Sequence, residues 1–259
     1  MASATTEHRI RVRDATEADV PAMVDIHFDA FGADVMGQLL NPGGVSEDAK
    51  QKLGAGFTPP FEETVEKGKI LLKVAEIIPG DAADDDKTPG EVVAFAKWVL
   101  FRRPRTEEQW NVKQTFTEEM LGKGTNIEVY SDFIERLHDE RRQLAKGNPV
   151  LLLNILAVTT HRQRLGAGSE LLRQGLKIAD ELGLPSNLES SPMGYLLYKR
   201  FGFEDVSVVD LEVTKRWGPV KPEGAHWGEK NGISVGGPLP EGYFRTVVMS
   251  RPPRSTTTA

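Results

Sequence analysis

Residues 156–172 read LAVTTHRQRLGAGSELL. An apolar run ends at Val158, a polar, basic loop follows, and Gly166 and Gly168 open a segment of helical pattern. The run itself, VLLLNILAV over 150–158, is the pattern of a strand buried on both faces and is too short to span a bilayer. Downstream, Leu171, Leu172, Gly175, Leu176, Ala179 and Leu182 fall on one face of a helix predicted over 167–182. Glu170, Arg173, Lys177 and Asp180 fall on the other, and Gly183 is its stop signal.

A glycine-rich turn between a strand and a helix can hold phosphate, because unpaired N–H groups and the helix dipole meet there. Three phosphate-binding patterns, and a bare tight turn, are the possible readings of it. A Walker loop needs a lysine directly after its last glycine, and Gly168 is followed by Ser169. A dinucleotide turn needs a third glycine where Leu171 stands, and it follows its strand at once rather than after the polar stretch 159–165. Two glycines alone leave the bare turn open.

The third pattern uses the whole string. Gln163-x-x-Gly166-x-Gly168 after a strand and before a helix resembles the acetyl-CoA-binding signature of the GNAT superfamily of N-acetyltransferases. Further residues carry the same resemblance. GYLLYKRFGFEDV, with Leu197, Tyr198, Lys199, Arg200, Gly202 and Phe203, is similar to the family's later signature, and RVRDATEADVPAMVDIHFDAF is similar to its first strand and helix. The resemblance covers a core of about 9–102 and 149–214. It says little about a helical insertion at about 103–148 or a C-terminal extension, 215–259, with a disordered tail from about 252.

The implied fold is α/β: a mixed, mostly antiparallel central sheet with a splayed parallel strand pair and flanking helices, in a single domain. The implied activity is transfer of acetyl from acetyl-CoA directly to an amine in a ternary complex. The main chain of Leu156, Ala157 and Val158 would pair with pantetheine and polarise the thioester carbonyl. Gln163, Arg164, Leu165, Gly166, Ala167, Gly168 and Ser169 would wrap the pyrophosphate, with Arg162 and Arg164 adding positive charge. Tyr198 would protonate the departing thiolate and also line the CoA site. Family members often carry Asn and Ala where this chain has Ser191 and Gly194; Ser191 can still hydrogen-bond CoA, and Gly194 loosens its short helix. For the base, Glu189 and Asp29 are candidates. Asn154 could only orient a water. His27 reads as a core or cleft-wall histidine. His8, His138 and His226 are scattered without metal-ligand spacing, so no metal is expected. Trp98 and Trp110 could wall an acceptor pocket, with core packing the simpler role for Trp98.

The rest of the chain reads as strands near 9–13, 69–78, 91–101, 186–190, 204–214 and 243–250. Helices are expected after Thr16, with Asp19 at capping-box spacing, and over 46–53, 60–68 and 193–201. Another follows Thr125, with Glu128 at the same spacing. The acidic run 79–90 is a hairpin loop. A length of 259 residues with 39% hydrophobic residues is enough for a full core, and a net charge of −6 argues against nucleic-acid binding. With no cysteine, disulfides, thiolate metal sites and a thioester-enzyme intermediate are excluded. The expectation is a cytoplasmic enzyme with no membrane or nucleic-acid partner. Its acceptor is a small-molecule amine. A protein N-terminus or lysine, or a non-catalytic acyl-CoA-binding module, is the alternative.

Overall fold

The structure is a computed structural model in which residues 8–81 and 88–254 are described. The hairpin-loop residues 82–87 and the last five residues lie outside that range. Seven strands form one sheet: β1 (His8–Asp14), β2 (Lys69–Pro79), β3 (Glu91–Phe101), β4 (Val150–Val158), β5 (Ser186–Ser190), β6 (Glu204–Glu212) and β7 (Tyr243–Arg251). Their order is β1-β2-β3-β4-β5-β7-β6, and every neighbouring pair is antiparallel except β4–β5. The segment after residue 214 therefore returns to the sheet, with β7 between β5 and β6.

The helices are α1 (Val20–Gly32), α2 (Val35–Leu40), α3 (Glu47–Ala55), α4 (Glu107–Trp110), α5 (Glu118–Leu121), α6 (Ile127–Ala145), α7 (Ala167–Leu182), α8 (Tyr195–Arg200), α9 (Val213–Trp217) and α10 (Ile233–Gly236). None of the described helices is long and apolar enough to cross a membrane. One sheet face packs α7 and α8: Trp98, Leu151, Leu153, Leu171, Leu188 and Met249 share that core. The other face carries α1, through Met23, Ile26, Val74 and Phe95, and the insertion helix α6, through Leu137 against Val209 and Val248. An added Cβ on Gly175 would sit 2.2 Å from the Trp98 ring, so that glycine lets α7 lie flat on the sheet. Trp98 is thereby a core residue, and Trp110 packs against Gly147 in the insertion.

The Thr16–Asp19 capping box forms as the spacing predicts. It belongs to a larger network. Alternation in β1 puts Arg11 and Arg13 on one face, and both donate to Glu76 of β2, whose side chain is fully buried. Arg13 also clamps both oxygens of Asp19 at 2.7 Å, which holds that carboxyl down at about 2.

Three local expectations are corrected. Residues 60–68 are not helical: the Thr64 hydroxyl and carbonyl take the Lys67 and Gly68 N–H groups, making a turn into β2. The cap of α6 is Asn126, not Thr125. The Asn126 N–H is held by the Leu40 carbonyl, outside the helix, and its side chain accepts from Val129. Residues 252–254 are not a loose tail: Arg251 clamps Asp180 of α7 at 2.8 and 2.9 Å, and the Arg254 N–H donates to the same carboxylate.

Removing Glu76 leaves two arginines around a buried site. Glu76→Ala is expected to cost about 3–5 kcal/mol of stability, read as a lower urea midpoint at unchanged m-value.

Candidate active site

β4 and β5 pair only at Leu151–Ser186, Leu152–Asn187 and Leu153–Leu188, although β4 runs on to Val158 and β5 to Ser190. The register of β4 against β3 slips at the same level. Lys97 faces Ile155 and Trp98 faces Leu153, so Asn154 is an extra residue on β4. Such a bulge bends its strand and moves later side chains to the opposite face. Before it, Leu151 and Leu153 face the α7 core; after it, Leu156 and Val158 do. From Ile155 to Val158, β4 pairs with β3 on one edge and, among the described residues, has no strand on the other. That free edge can take an extended chain.

The edge leads into the glycine loop. Arg164 and Gly166 both have left-handed backbones, at φ 65° and 95°, and Gly166 is the cap residue of α7. The N–H groups of Gly166, Ala167, Gly168 and Ser169 donate to no acceptor among the described residues, as expected of a helix start. An added Cβ on Gly166 meets nothing within 4 Å. Backbone conformation, not crowding, therefore requires glycine there. Gly168 lies against Val158 of β4 and Leu197 of α8. Arg162 is tied to Glu91, so Arg164 is the exposed cation of the loop, without an ion pair among the described residues. From Ser169 a groove of about 690 Å³ runs past Arg173, Lys177 and Arg200, with Asp180, paired to Arg251, and Glu181 also on its walls. The arrangement suits an anion at the helix start, with Arg200 and Arg173 as the nearby cations of the groove.

Tyr198 sits on α8 with its ring buried, edge-on to Phe203 at 6.0 Å. Its hydroxyl has no hydrogen-bond partner among the described residues. Burial, then the charge of Glu189, pushes its pKa up, so it stays protonated. The ring lies over Gly194. An alanine Cβ there would stand 2.8 Å from it, so Gly194 makes room for the tyrosine rather than loosening the helix. The Ser191 hydroxyl accepts from the Gly194 N–H at 3.4 Å and helps form the turn before α8. Asn231, from the β6–β7 connection, anchors the same turn by donating to the Pro192 carbonyl.

The two candidate bases are both engaged. Asp29 accepts from the Thr159 hydroxyl (2.6 Å) and from the Thr160 N–H (2.6 Å) and hydroxyl (3.0 Å). These bonds hold its pKa below the usual carboxylate range, so it fastens the end of β4 to α1. Glu189 is clamped by Arg141 of α6 at 3.0 and 2.6 Å, with its side chain 6% exposed. That clamp ties the β5 carboxylate to the insertion helix. Sequence reasoning missed Arg141, whose pairing has no meaning until the fold lays α6 across β5. His27 is half-buried among Phe28, Phe31 and Phe57, its enclosed Nδ1 without a partner among the described residues, and desolvation lowers its pKa to about 4.

No protein-family profile matches the chain, and no curated protein does. Many solved structures do. The C-terminal condensation domain of Ebony in complex with beta-alanyl-dopamine aligns over 95% of this chain and 100% of that one, at 12% identity and TM-score 0.58. Arylalkylamine N-acetyltransferase 2 from Aedes aegypti aligns over 94% and 99%, at 13% identity and TM-score 0.54. The polyamine N-acetyltransferase of Drosophila melanogaster aligns over 94% and 100%, at 11% identity and TM-score 0.53. The chain has the GNAT fold, as the strand order, the single parallel pair and these alignments agree.

Two outcomes test the site. Gly194→Ala is expected to displace the Tyr198 ring, changing the near-ultraviolet circular dichroism while the far-ultraviolet spectrum holds. His27 titrates near 6.5 unfolded and about 4 folded. The unfolded chain alone therefore takes up the proton between those values, and stability falls as pH drops through that window. His27→Leu should lose about 3 °C less in Tm than the natural chain between pH 7 and 5.

Proposed function

We propose that the chain is an N-acetyltransferase that passes acetyl directly from acetyl-CoA to an amine. The observation that carries this reading is the free edge of β4 leading into a helix start with unpaired N–H groups. Pantetheine is extended and carries amides, which suit the edge over Leu156–Val158. The pyrophosphate suits the N–H groups of Gly166–Ser169, with Arg164 beside them. The groove past Arg173 and Arg200 supports placing the remaining phosphate there.

The chemistry follows from the same residues. An N–H of the β4 edge polarises the thioester carbonyl as the amine nitrogen attacks its carbon. The carbon–sulfur bond breaks and the thiolate leaves with the proton of Tyr198. The chain has no cysteine to form an acyl-enzyme thioester, which supports direct attack. A small-molecule amine is the favoured acceptor. The insertion spreads α6 over the sheet face opposite α7 and brings Phe116 against Tyr130, adding aromatic surface on that face. The arylalkylamine and polyamine enzymes among the alignments agree with that class. A protein N-terminus or lysine is the alternative acceptor.

The test is release of free thiol from acetyl-CoA with phenethylamine, tryptamine, spermidine and a short peptide. Turnover with one of the three small amines is expected. Acetyl-CoA binding without turnover of any acceptor would make the chain a binding module instead. Tyr198→Phe should lower kcat about 100-fold with CoA affinity kept within twofold. Gly166→Val, forced to adopt a left-handed backbone, should abolish CoA binding measured by calorimetry.

A further inference from the structure

We infer that Asn231, in the connection between β6 and β7, is a positioning residue for Tyr198. The inference rests on the acid role proposed above for that tyrosine and adds what holds its hydroxyl in place. A proton reaches the departing sulfur only if its donor stands at hydrogen-bond distance as the carbon–sulfur bond breaks. The Tyr198 hydroxyl has no partner among the described residues. Its position follows from the ring, which rests against Phe203 and Gly194, and from the placement of α8. α8 is six residues long. A helix that short does not hold itself in water, so contacts from outside decide where it points. Two of them act on its body: the Tyr195 hydroxyl donates to Asp205 at 2.7 Å, and Lys199 donates to the same carboxylate at 3.3 Å. Asn231 acts on the turn that starts it. Its Nδ2 donates to the Pro192 carbonyl at 3.1 Å, and both residues are buried. Two residues on, the Gly194 carbonyl takes the Tyr198 N–H at 3.2 Å, and the missing Cβ of Gly194 is the gap in which the ring lies. A shift of the Pro192 turn therefore carries the Tyr198 ring with it.

Asn231 serves as a fixed post because its main chain is pinned. Its N–H donates to the Gly228 carbonyl at 3.0 Å, and its carbonyl accepts from Arg245 Nη1 at 3.2 Å. Arg245 is fully buried on β7. Its guanidinium also clamps both oxygens of Asp210 on β6, at 2.7 and 2.6 Å, and donates to the Gly236 and Gly237 carbonyls. The post thus stands on two paired strands of the sheet and reaches the Pro192 turn through one side-chain amide. Without that amide the buried Pro192 carbonyl loses its donor and regains one only by turning toward water, which moves the turn. Among the described residues no hydrogen bond joins Asn231 to the glycine loop or to the β4 edge, so the proposed CoA contacts do not depend on it. The segment after residue 214, which the sequence resemblance does not reach, is in this way coupled to the acid.

The experiment measures kcat and KM with acetyl-CoA and whichever of phenethylamine, tryptamine, spermidine and the short peptide the natural enzyme turns over best. Asn231→Leu, close in size but without a donor, and Asn231→Ala should each lower kcat about 20-fold, with the KM for acetyl-CoA within about twofold. The deciding comparison adds each change to Tyr198→Phe. With no hydroxyl left to place, the double variants should turn over within about threefold of Tyr198→Phe alone. A kcat for Asn231→Leu within about threefold of the natural enzyme would overturn the role. So would losses that multiply in the double variants, which is the result of a general loosening of the fold. An undiminished kcat in Tyr198→Phe would instead overturn the acid assignment, and no turnover of any acceptor by the natural enzyme would overturn the acetyltransferase reading; either takes this inference with it.

Discussion

One extra residue in β4 organises the molecule. Asn154 has no opposite number in β3, and at its level the strand bends away from β5. A regular parallel pair would satisfy the main chain of both strands to their ends. The bulge instead ends pairing after Leu153–Leu188 and exposes the edge of β4 from Ile155 onward. The flip of side chains after the bulge keeps Leu156 and Val158 in the α7 core, so the opening costs little packing.

The opening is held from both faces. On one, α7 lies flat because Gly175 admits the Trp98 ring, and this aims its free N–H groups at the end of β4. On the other, Asp29 of α1 fastens Thr159 and Thr160, and Arg141 of α6 fastens Glu189. The β6–β7 connection is held by Arg245, whose fully buried guanidinium bonds Asp210 and the carbonyls of Asn231 and Gly237. Asn231 in turn fixes the turn at Pro192, ahead of Tyr198. Such buried, fully bonded charges specify geometry more than they add stability. Here they hold the parts of the splay that no ladder supports.

Two carboxylates show how partners decide a role. Asp29 and Glu189 look alike from the sequence as candidate bases, yet each is committed to donors of its own, Asp29 to Thr159 and Thr160 and Glu189 to Arg141. Arg141, which the sequence offered no reason to join to Glu189, reaches it through an insertion helix. Ser191 and Gly194 look like departures from a motif. In the fold the serine oxygen caps the turn and the missing Cβ is where the Tyr198 ring rests.

The sequence by itself determined the strand–loop–helix at 150–182, the Thr16 cap, the β2–β3 hairpin and the neighbourhood of Tyr198. Each rests on local physics: apolar periodicity, capping spacing, and glycine where the backbone is left-handed. Tertiary structure alone decided the rest. The Asn154 bulge is invisible locally, because an apolar run looks the same with or without one unpaired residue. The cap of α6 moved from Thr125 to Asn126 because a distant carbonyl, that of Leu40, holds the Asn126 N–H outside the helix. The place of β7 between β5 and β6, and the contacts of Arg141 with Glu189 and Arg251 with Asp180, join residues far apart in the chain. Those pairings follow from how whole elements pack, and no local pattern carries them.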